Sequence, residues 1–399
     1  MSVNKNSRAL GYILAKSVRG IDFRIYFDSG TLIANKPANC AVFEANFSTF
    51  SYLYKPMKVV RSRTPLRISF GGGGTDVPPY PGASGGVVLN ATINRYIYST
   101  LVETNEHHDV CVRSLDFDSI ATYRHPSDLQ FNGQLDLAKA VVAHFTPDSA
   151  SRDRGLDIYI HGDAPPGSGL GTSSTFTVSV LNLLREWRKI PMDYYEIADL
   201  AHHIERNVVG IKGGRQDQYS ATFGGFNFME FSEKETIVTP LKLNPLTVME
   251  LEYNLMLVFT RGVRESQRII AHQTANVENS TSGAIEALHE IKELALEMKR
   301  VLLQGRLTAF GQLLHESWEQ KKRMSTMIST SHIDEMYAEA RRLGVLGGKI
   351  TGAGGGGYMM LYTPFDKAHA VRQRMVELGG EVVDYRFELN GAQAWRATI

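Results

Sequence analysis

The sequence predicts an α+β protein in which sheets are layered with helices on one face. Three observations predict it. Between Val59 and Phe117 the chain runs in short segments rich in Val, Ile, Tyr and Thr, which is strand composition. Past Pro245 apolar residues recur mostly at helical spacing. Three glycine-rich loops stand beside strand-type segments, at Gly71–Gly74, Gly167–Gly171 and Gly352–Gly357.

With 399 residues the chain has room for two or three domains and can bury its cores without covalent staples. Its 43 basic and 42 acidic residues leave a formal net charge of +1, so no general field draws nucleic acid or anionic lipid, and phosphate recognition must be local. Apolar runs such as Leu255 to Phe259 fall far short of the ~20 residues of a membrane helix. Cys40 and Cys111 are far apart and show no CxxC or Cys/His spacing, which predicts a reducing compartment, the cytoplasm, and argues against zinc. The expected partners are small molecules, with no nucleic acid and no membrane.

Residues 1–56 show no clear period and read as an N-terminal extension, either ill-ordered or preceding a functional start at Met57. Lys5, Arg8, Lys16 and Arg19 precede the first acidic residue, Asp22, which leaves an organelle-targeting peptide as the alternative. The strand segments VVRSRTPLRISF, VVLNATINRYIYSTLVE and DVCVRSLDF follow, and a fourth, DIYIHGD, leads into PPGSGLGTSS, Pro165 to Ser174. In the next stretch Val180, Leu181, Leu184 and Trp187 recur at helical spacing, with Thr172, Ser173 and Ser174 available as caps. Pro191 breaks that helix, and Asp193 with Glu196 forms a capping box for a second, which carries Ile197, Leu200, Ala201, Ile204 and Val208 on one face as far as Gly210. Near residue 245 the character changes. The strand NLMLVFT comes first, helical patterns run from about Glu265 to Leu343, and the tail reads glycine loop, strand YMMLYT, helix Phe365–Leu378 and strand EVVDYRFEL. The domains expected are therefore 57–245 and 246–399.

The loop Gly167–Gly171 lies between a strand and a helix. Glycines let successive backbone N–H groups face one point, and the open N–H groups of the next helix add partial positive charge, so a phosphate chain is bound without a lysine. It is neither a Walker loop nor, with its GxGxG spacing, the dinucleotide fingerprint. On local residues alone it is equally a tight turn. Gly71–Gly74 is followed by TDVPPYPG, whose prolines exclude a helix start of the dinucleotide kind; it either lets a substrate approach the main chain beside Asp76 or is a connector. GAGGGG at Gly352–Gly357 satisfies GxGxxG but leads into a strand, so a dinucleotide site is rejected. It reads as a loop packed on a ligand, with Lys349 nearby, or as a bulged strand start.

In this order, RTPLRISFGGGGTD, PPGSGLGTSS and KITGAGGGGYMML resemble the three motifs of the GHMP kinases, over a span from about Arg63 to Tyr362. The resemblance implies an amino-terminal domain like the second domain of ribosomal protein S5, a ferredoxin-like carboxy-terminal domain, and ATP with Mg²⁺ in the cleft between them. Galactokinase-like members carry a Glu-His pair where this chain has Gly73 and Gly74, which argues against galactokinase. GGGTD followed by Pro-Tyr, with GGRQDQYSATFGGFNFMEF, is similar to the branch acting on D-glycero-D-manno-heptose 7-phosphate, a sugar phosphate phosphorylated on its anomeric hydroxyl toward GDP-heptose. Another sugar kinase of the fold, of fucose or galactose type, or a silent sugar or nucleotide sensor, is the alternative.

The resemblance also implies site residues. Asp217 would be the general base and Arg67 its cationic neighbour. Pro166, Gly167, Ser168, Gly169, Leu170, Gly171, Thr172 and Ser173 would bind ATP, and Ser173 with Glu205 would hold Mg²⁺ through hard oxygens. Gly73, Gly74, Thr75, Asp76, Arg215, Gly354 and Gly355 would face the substrate, Asp76 taking sugar hydroxyls. A phosphate on the sugar needs a further cation, with Lys212, Arg215, Arg261 and Arg264 all in reach by sequence. His202 shares a face with Glu205, but no third ligand makes a metal pair of them.

Overall fold

The computed structural model describes residues 58–116, 119–124, 129–146, 154–262, 266–278 and 283–399, together with three strands ahead of them. The chain divides into two compact units, residues 1–57 with 398–399, and residues 58–397. In the first, Tyr12–Ile13 (β1), Arg24–Asp28 (β2) and Thr31–Asn35 (β3) form an antiparallel sheet in the order β1-β2-β3. The remainder of the expected extension lies outside the described residues.

The second unit is built on two sheets. β5 (Gly86–Thr104) is the axis of the larger, eight-stranded one. β4 (Lys58–Gly71) runs antiparallel along one edge of β5, from Val59 opposite Val102 to Gly71 opposite Leu89. The other edge of β5 is shared: β9 (Phe226–Phe231) takes Gly86–Ala91 and β8 (Gly155–Gly162) takes Ile97–Thr104. β6 (Val110–Ser114), β7 (Ser119–Tyr123), β10 (Thr236–Pro240) and β15 (Gln393–Thr398) complete it. Within β4 the period of two separates Leu66, Ile68 and Phe70, all fully buried in the core, from Arg67 and Ser69 on the opposite face. That alternation aims Arg67 toward the site.

The smaller sheet is drawn wholly from beyond residue 245, with β11 (Leu255–Phe259), β12 (Gly347–Ile350), β13 (Tyr358–Tyr362) and β14 (Glu381–Val383) in the antiparallel order β12-β13-β11-β14. β14 is shorter than the sequence pattern suggests. After Val383 the chain leaves this sheet, and main-chain bonds tie Arg386 and Glu388 to Asn94 and Thr92 of β5.

The helices are α1 (Tyr80–Ser84), α2 (Asp136–Phe145), α3 (Thr172–Arg188), α4 (Tyr194–His203), α5 (Gln216–Phe223), α6 (Pro245–Asn254), α7 (Ser266–Glu278), α8 (Ala284–Leu303), α9 (Leu307–Arg323), α10 (Ser331–Arg342) and α11 (Ala368–Glu377). α3 packs on β4 and β5, burying Val178, Leu181 and Leu184. The capping box at Asp193 forms as expected, Asp193 Oδ1 accepting from Glu196 N at 2.9 Å and Glu196 Oε2 from Asp193 N at 2.7 Å. Among the described residues no helix is long and apolar enough to cross a membrane.

Candidate active site

The loops and first helical turns converge on one cavity of about 660 Å³. On its wall stand Arg67, Gly74, Asp76, Pro166, Gly167, Gly169, Gly171, Thr172, Ser173, Glu205 and Asp217, all expected from the sequence. Arg67, 3% exposed, donates from Nε to Asp217 Oδ1 at 2.7 Å, and its Nη2 also lies 2.7 Å from that oxygen. Nη1 donates to the Gly169 carbonyl at 2.6 Å. One guanidinium therefore joins strand β4, the glycine loop and the first turn of α5, and it holds Asp217 with its second carboxylate oxygen outside the pair.

The glycine loop can lie on that pair only because it lacks side chains. A Cβ at Gly171, where φ is +77°, would stand 3.3 Å from Asp217 Cγ and 3.5 Å from Arg67 Cγ. A Cβ at Gly169 would stand 2.5 Å from the Thr351 carbonyl, so the ATP-type loop and the third glycine loop pack backbone to backbone. The expected capping by Thr172, Ser173 and Ser174 is not what the structure shows. Gly171 is the N-cap of α3 and no side chain caps the helix, because these hydroxyls have other partners. Ser173 Oγ and Ser174 Oγ donate to Glu205 at 3.2 and 2.7 Å, while Thr172 Oγ1 pairs with Ser168 Oγ at 3.1 Å. The first-turn N–H groups of α3 consequently open on the cavity, a suitable seat for phosphate oxygens.

Glu205 sits in a π-helical turn, Ile204–Val208, that continues α4, and is 2% exposed. Gln218 Nε2 donates to its Oε2 at 2.6 Å, and Arg206 Nη1 lies 3.3 Å from its Oε1. Ser173 Oγ and Glu205 Oε1, 3.2 Å apart on the cavity wall, offer two hard oxygens at about the separation of neighbouring ligands on an octahedral magnesium ion. The donor set fits that ion. His202 is not on the cavity wall; burial first, then Arg206, Arg215 and His203, pushes its imidazole down to about 4.

Asp76, 1% exposed, accepts from the main-chain N–H of Gly74 at 3.1 Å and of Gln216 at 3.2 Å. The other expected substrate residues need correction. Arg215 is off the cavity wall; its guanidinium donates to the carbonyls of Ser232, Glu233 and Glu235 and braces the β9–β10 turn. Gly354 and Gly355 pack on Ile328, whose carbonyl accepts from Gly355 N at 2.6 Å, and it is Gly352 and Ala353 that reach the wall. Thr75 Oγ1 is engaged with the Gly72 and Val87 carbonyls, and the Gly73 carbonyl accepts from Lys321 Nζ at 2.8 Å. Within the ATP-type loop the side chains of Ser168 and Leu170 are fully buried. Lys212 lines the cavity, Arg261 does not, and Arg264 lies outside the described residues.

Sequence reasoning missed Arg206, Gln267, Arg268, Gln273 and Lys321, all on the wall. No local signal marks them, since α7 and α9 look like ordinary solvated helices until the fold brings them to the cavity. Lys321 is 3% exposed; burial first, with Arg67 acting the same way and Asp76 against, pushes its ammonium down to about 8. Away from the cavity, His107, Cys111 and Asp157 bring ligand-type atoms within 4.8 Å of one another, a cluster that spacing did not reveal. Arg113 Nη2 stands 3.3 Å from Asp157, however, so a cation already occupies that carboxylate.

Two family descriptions match the chain: GHMP kinases N terminal domain over residues 136–225, and GHMP kinases C terminal over residues 284–380. The D-glycero-alpha-D-manno-heptose 7-phosphate kinase of Campylobacter jejuni is 38% identical over 341 residues, 85% of this chain and 100% of that protein. The L-fucokinase/L-fucose-1-P guanylyltransferase of Bacteroides fragilis is 28% identical, covering 80% of this chain and 36% of its own length. Among solved structures, a D-glycero-D-manno-heptose 1-phosphate kinase from Bacteroides thetaiotaomicron superposes with a TM-score of 0.70 at 37% identity, over 84% of this chain and 98% of that one. Lactococcus lactis galactokinase bound to galactose shares the fold, with a TM-score of 0.67 at 19% identity, over 84% and 95% of the two chains.

Proposed function

The chain belongs to the GHMP kinase family, and we propose that it transfers the γ-phosphoryl group of ATP to the anomeric hydroxyl of D-glycero-D-manno-heptose 7-phosphate, giving the 1,7-bisphosphate and ADP. The observation that carries the reaction is the Arg67–Asp217 pair, which sits directly under Gly171 and the open first turn of α3. The heptose phosphate is supported by the likeness to relatives named for it, one as a 7-phosphate and one as a 1-phosphate kinase.

In this reading the free oxygen of Asp217 accepts the proton of the anomeric hydroxyl while the sugar oxygen bonds to the γ-phosphorus and the bond to the β-phosphate oxygen breaks. Arg67 fixes the carboxylate and faces the charge that develops on the transferring group. The loop Gly167–Gly171 and the N–H groups of α3 take the nucleotide phosphates. A magnesium ion held by Ser173 and Glu205 would supply charge neutralisation on those phosphates. Asp76, with its carboxylate fixed by two amides, receives sugar hydroxyls. The two cysteines, far apart and without metal or disulfide spacing, favour a reducing compartment, the cytoplasm, for the reaction.

The test is ATP turnover on a panel of D-glycero-D-manno-heptose 7-phosphate, heptose 1-phosphate, galactose, fucose, mannose and mevalonate, with phosphorus NMR of the product. Turnover on the 7-phosphate with a new anomeric phosphate supports the reading. Preference for fucose or galactose would leave a sugar kinase with a different acceptor, and nucleotide binding without turnover on any acceptor would point to the sensor.

A further inference from the structure

Between Glu205 and the first turn of α5 runs a short loop, residues 211–214, all of which stand on the cavity wall. Arg206, from the π-helical turn, donates from Nη1 to the Ile211 carbonyl at 3.0 Å and from Nη2 to the Gly214 carbonyl at 2.9 Å, so one guanidinium spans the loop from end to end. A Cβ built at Gly213 would lie 2.6 Å from Arg206 Nη2 and 2.7 Å from its Cζ, which shows the guanidinium resting directly on the main chain. A Cβ at Gly214 would lie 1.9 Å from Asp76 Oδ2, and Gln216 N donates to that same oxygen at 3.2 Å. The loop is thus held at Gly213 by a guanidinium and at Gly214 by a carboxylate, with room for hydrogen alone at both positions.

The bonds of Arg206 tell which neighbour depends on it. Its side chain is 14% exposed, and Nη1 also stands 3.3 Å from Glu205 Oε1. Glu205 keeps its place without that contact, because Ser173 bonds to Oε1 while Ser174 and Gln218 bond to Oε2. Arg206 Nε is buried with no partner among the described residues, a cost that stability alone gives no reason to keep. What the arginine gains is a charged fork on two carbonyls, which the single ammonium of a lysine cannot reproduce. Asp76 is the neighbour that depends on it. One of its two amide donors is Gln216 N–H, which follows closely on the clamped loop, and Asp217 comes directly after.

We infer that Arg206 is a positioning residue for the acceptor: by fixing residues 211–214 it holds Asp76 and the Gln216 N–H in the geometry that receives the sugar. The inference rests on reading the cavity as a sugar kinase site with Asp76 on the acceptor side. A loop released from the clamp samples other positions, and the acceptor then binds only the fraction of molecules with the loop in place, so its apparent affinity falls by that fraction. The metal side moves the other way. Arg206 and a magnesium ion would compete for the charge of Glu205 Oε1, so removing the guanidinium leaves that oxygen more available to the ion. A weaker acceptor with undiminished magnesium affinity is a pattern that general loosening of the site would not give.

Calorimetry tests it in two titrations: the panel sugar that wild type binds most tightly, without nucleotide or metal, and then magnesium into the nucleotide complex. Arg206→Gln should weaken the sugar by roughly tenfold or more, as loss of two charge-assisted bonds implies, while the half-saturating magnesium concentration stays level or falls. In turnover the loss should appear in the acceptor KM more than in kcat. Arg206→Lys should lose nearly as much, since it keeps the charge but not the fork. Gly213→Ala breaks the same contact and leaves the arginine in place. Gly213 lies outside the left-handed region and its Cβ meets only the tip of a flexible side chain, so this variant serves if the arginine variants fail to fold. Its acceptor affinity should fall by about threefold or more. Affinity within about twofold of wild type in both Arg206→Gln and Gly213→Ala overturns the inference. So does a magnesium requirement that rises along with the loss of acceptor affinity, or a wild type that binds no sugar of the panel. If the tightest sugar is galactose or fucose and the variants weaken it, the clamp stands and the heptose phosphate reading falls.

Discussion

Arg67 divides its guanidinium between Asp217 and the Gly169 carbonyl, so the position of the carboxylate is set by the same side chain that anchors the nucleotide-type loop. Asp217 is 23% exposed and faces the cavity, in a place where a hydroxyl can reach it. Asp217→Asn keeps the size and the contact region but removes proton acceptance. Its turnover should fall by roughly 10²–10⁴-fold with nucleotide affinity nearly unchanged, measured by coupled ADP release and by nucleotide titration. A fall of less than about tenfold would remove Asp217 from the base role. Glu205 acts on a different reactant. Glu205→Gln retains an acceptor for Ser174 but gives up the charge, so the magnesium concentration for half-maximal turnover should rise by roughly tenfold or more, with the acceptor KM little altered. Equal magnesium curves for the variant and wild type would remove it from the metal site.

At the scale of elements, two substitutions separate site geometry from helix stability. Gly171→Ala forces a left-handed φ of +77° on a residue with a Cβ and presses it against Asp217, costing roughly 1–3 kcal/mol and lowering turnover as well. Asp193→Ala removes the capping box of α4, far from the wall; thermal unfolding should show a loss of about 1 kcal/mol with turnover unchanged. If both variants lost only stability, the tight seating of the loop on Asp217 would be irrelevant to the chemistry. The same scale explains what could be read in advance. Strand, glycine loop and helix are neighbours in sequence, so β8, Gly167–Gly171 and α3 were legible from local pattern, as was the capping box. Arg67 and Asp217 are 150 residues apart, and only their likeness to a family's motifs paired them beforehand. Lys321 shows the limit. In the run Gln320-Lys321-Lys322-Arg323 it reads as one more solvated cation, and its burial comes from α9 packing beneath the Gly73 carbonyl, a tertiary fact without a local trace. Arg215 shows the converse error: a basic residue beside the catalytic motif whose donors are taken by the β9–β10 turn.

Across the whole molecule, burying Lys321 and Lys349 behind one loop couples stability to pH. Both would titrate near 10.5 in the unfolded chain, whereas burial in the folded chain, ahead of repulsion from neighbouring cations, brings them down to about 8 and about 7. At pH values between these two ranges the unfolded chain holds protons that the folded chain has released. Stability therefore rises with pH across that window, and below about 7, where both states are protonated, the cost of the two buried ammoniums is felt in full. The rise has a ceiling. Tyr219 and Tyr337 are pushed up by burial from 10.0, so an unfolded chain gains by losing those protons near 10 and stability turns down again. The urea midpoint should accordingly climb from about pH 7 to a maximum between about 9 and 10. Lys349→Met, which keeps the length and removes the charge, should flatten the lower part of the climb and raise the midpoint at about pH 7, because its bond to Phe70, at 3.3 Å, is weak return for a desolvated ammonium. A midpoint that stays level over this range in wild type would mean that water reaches both ammoniums.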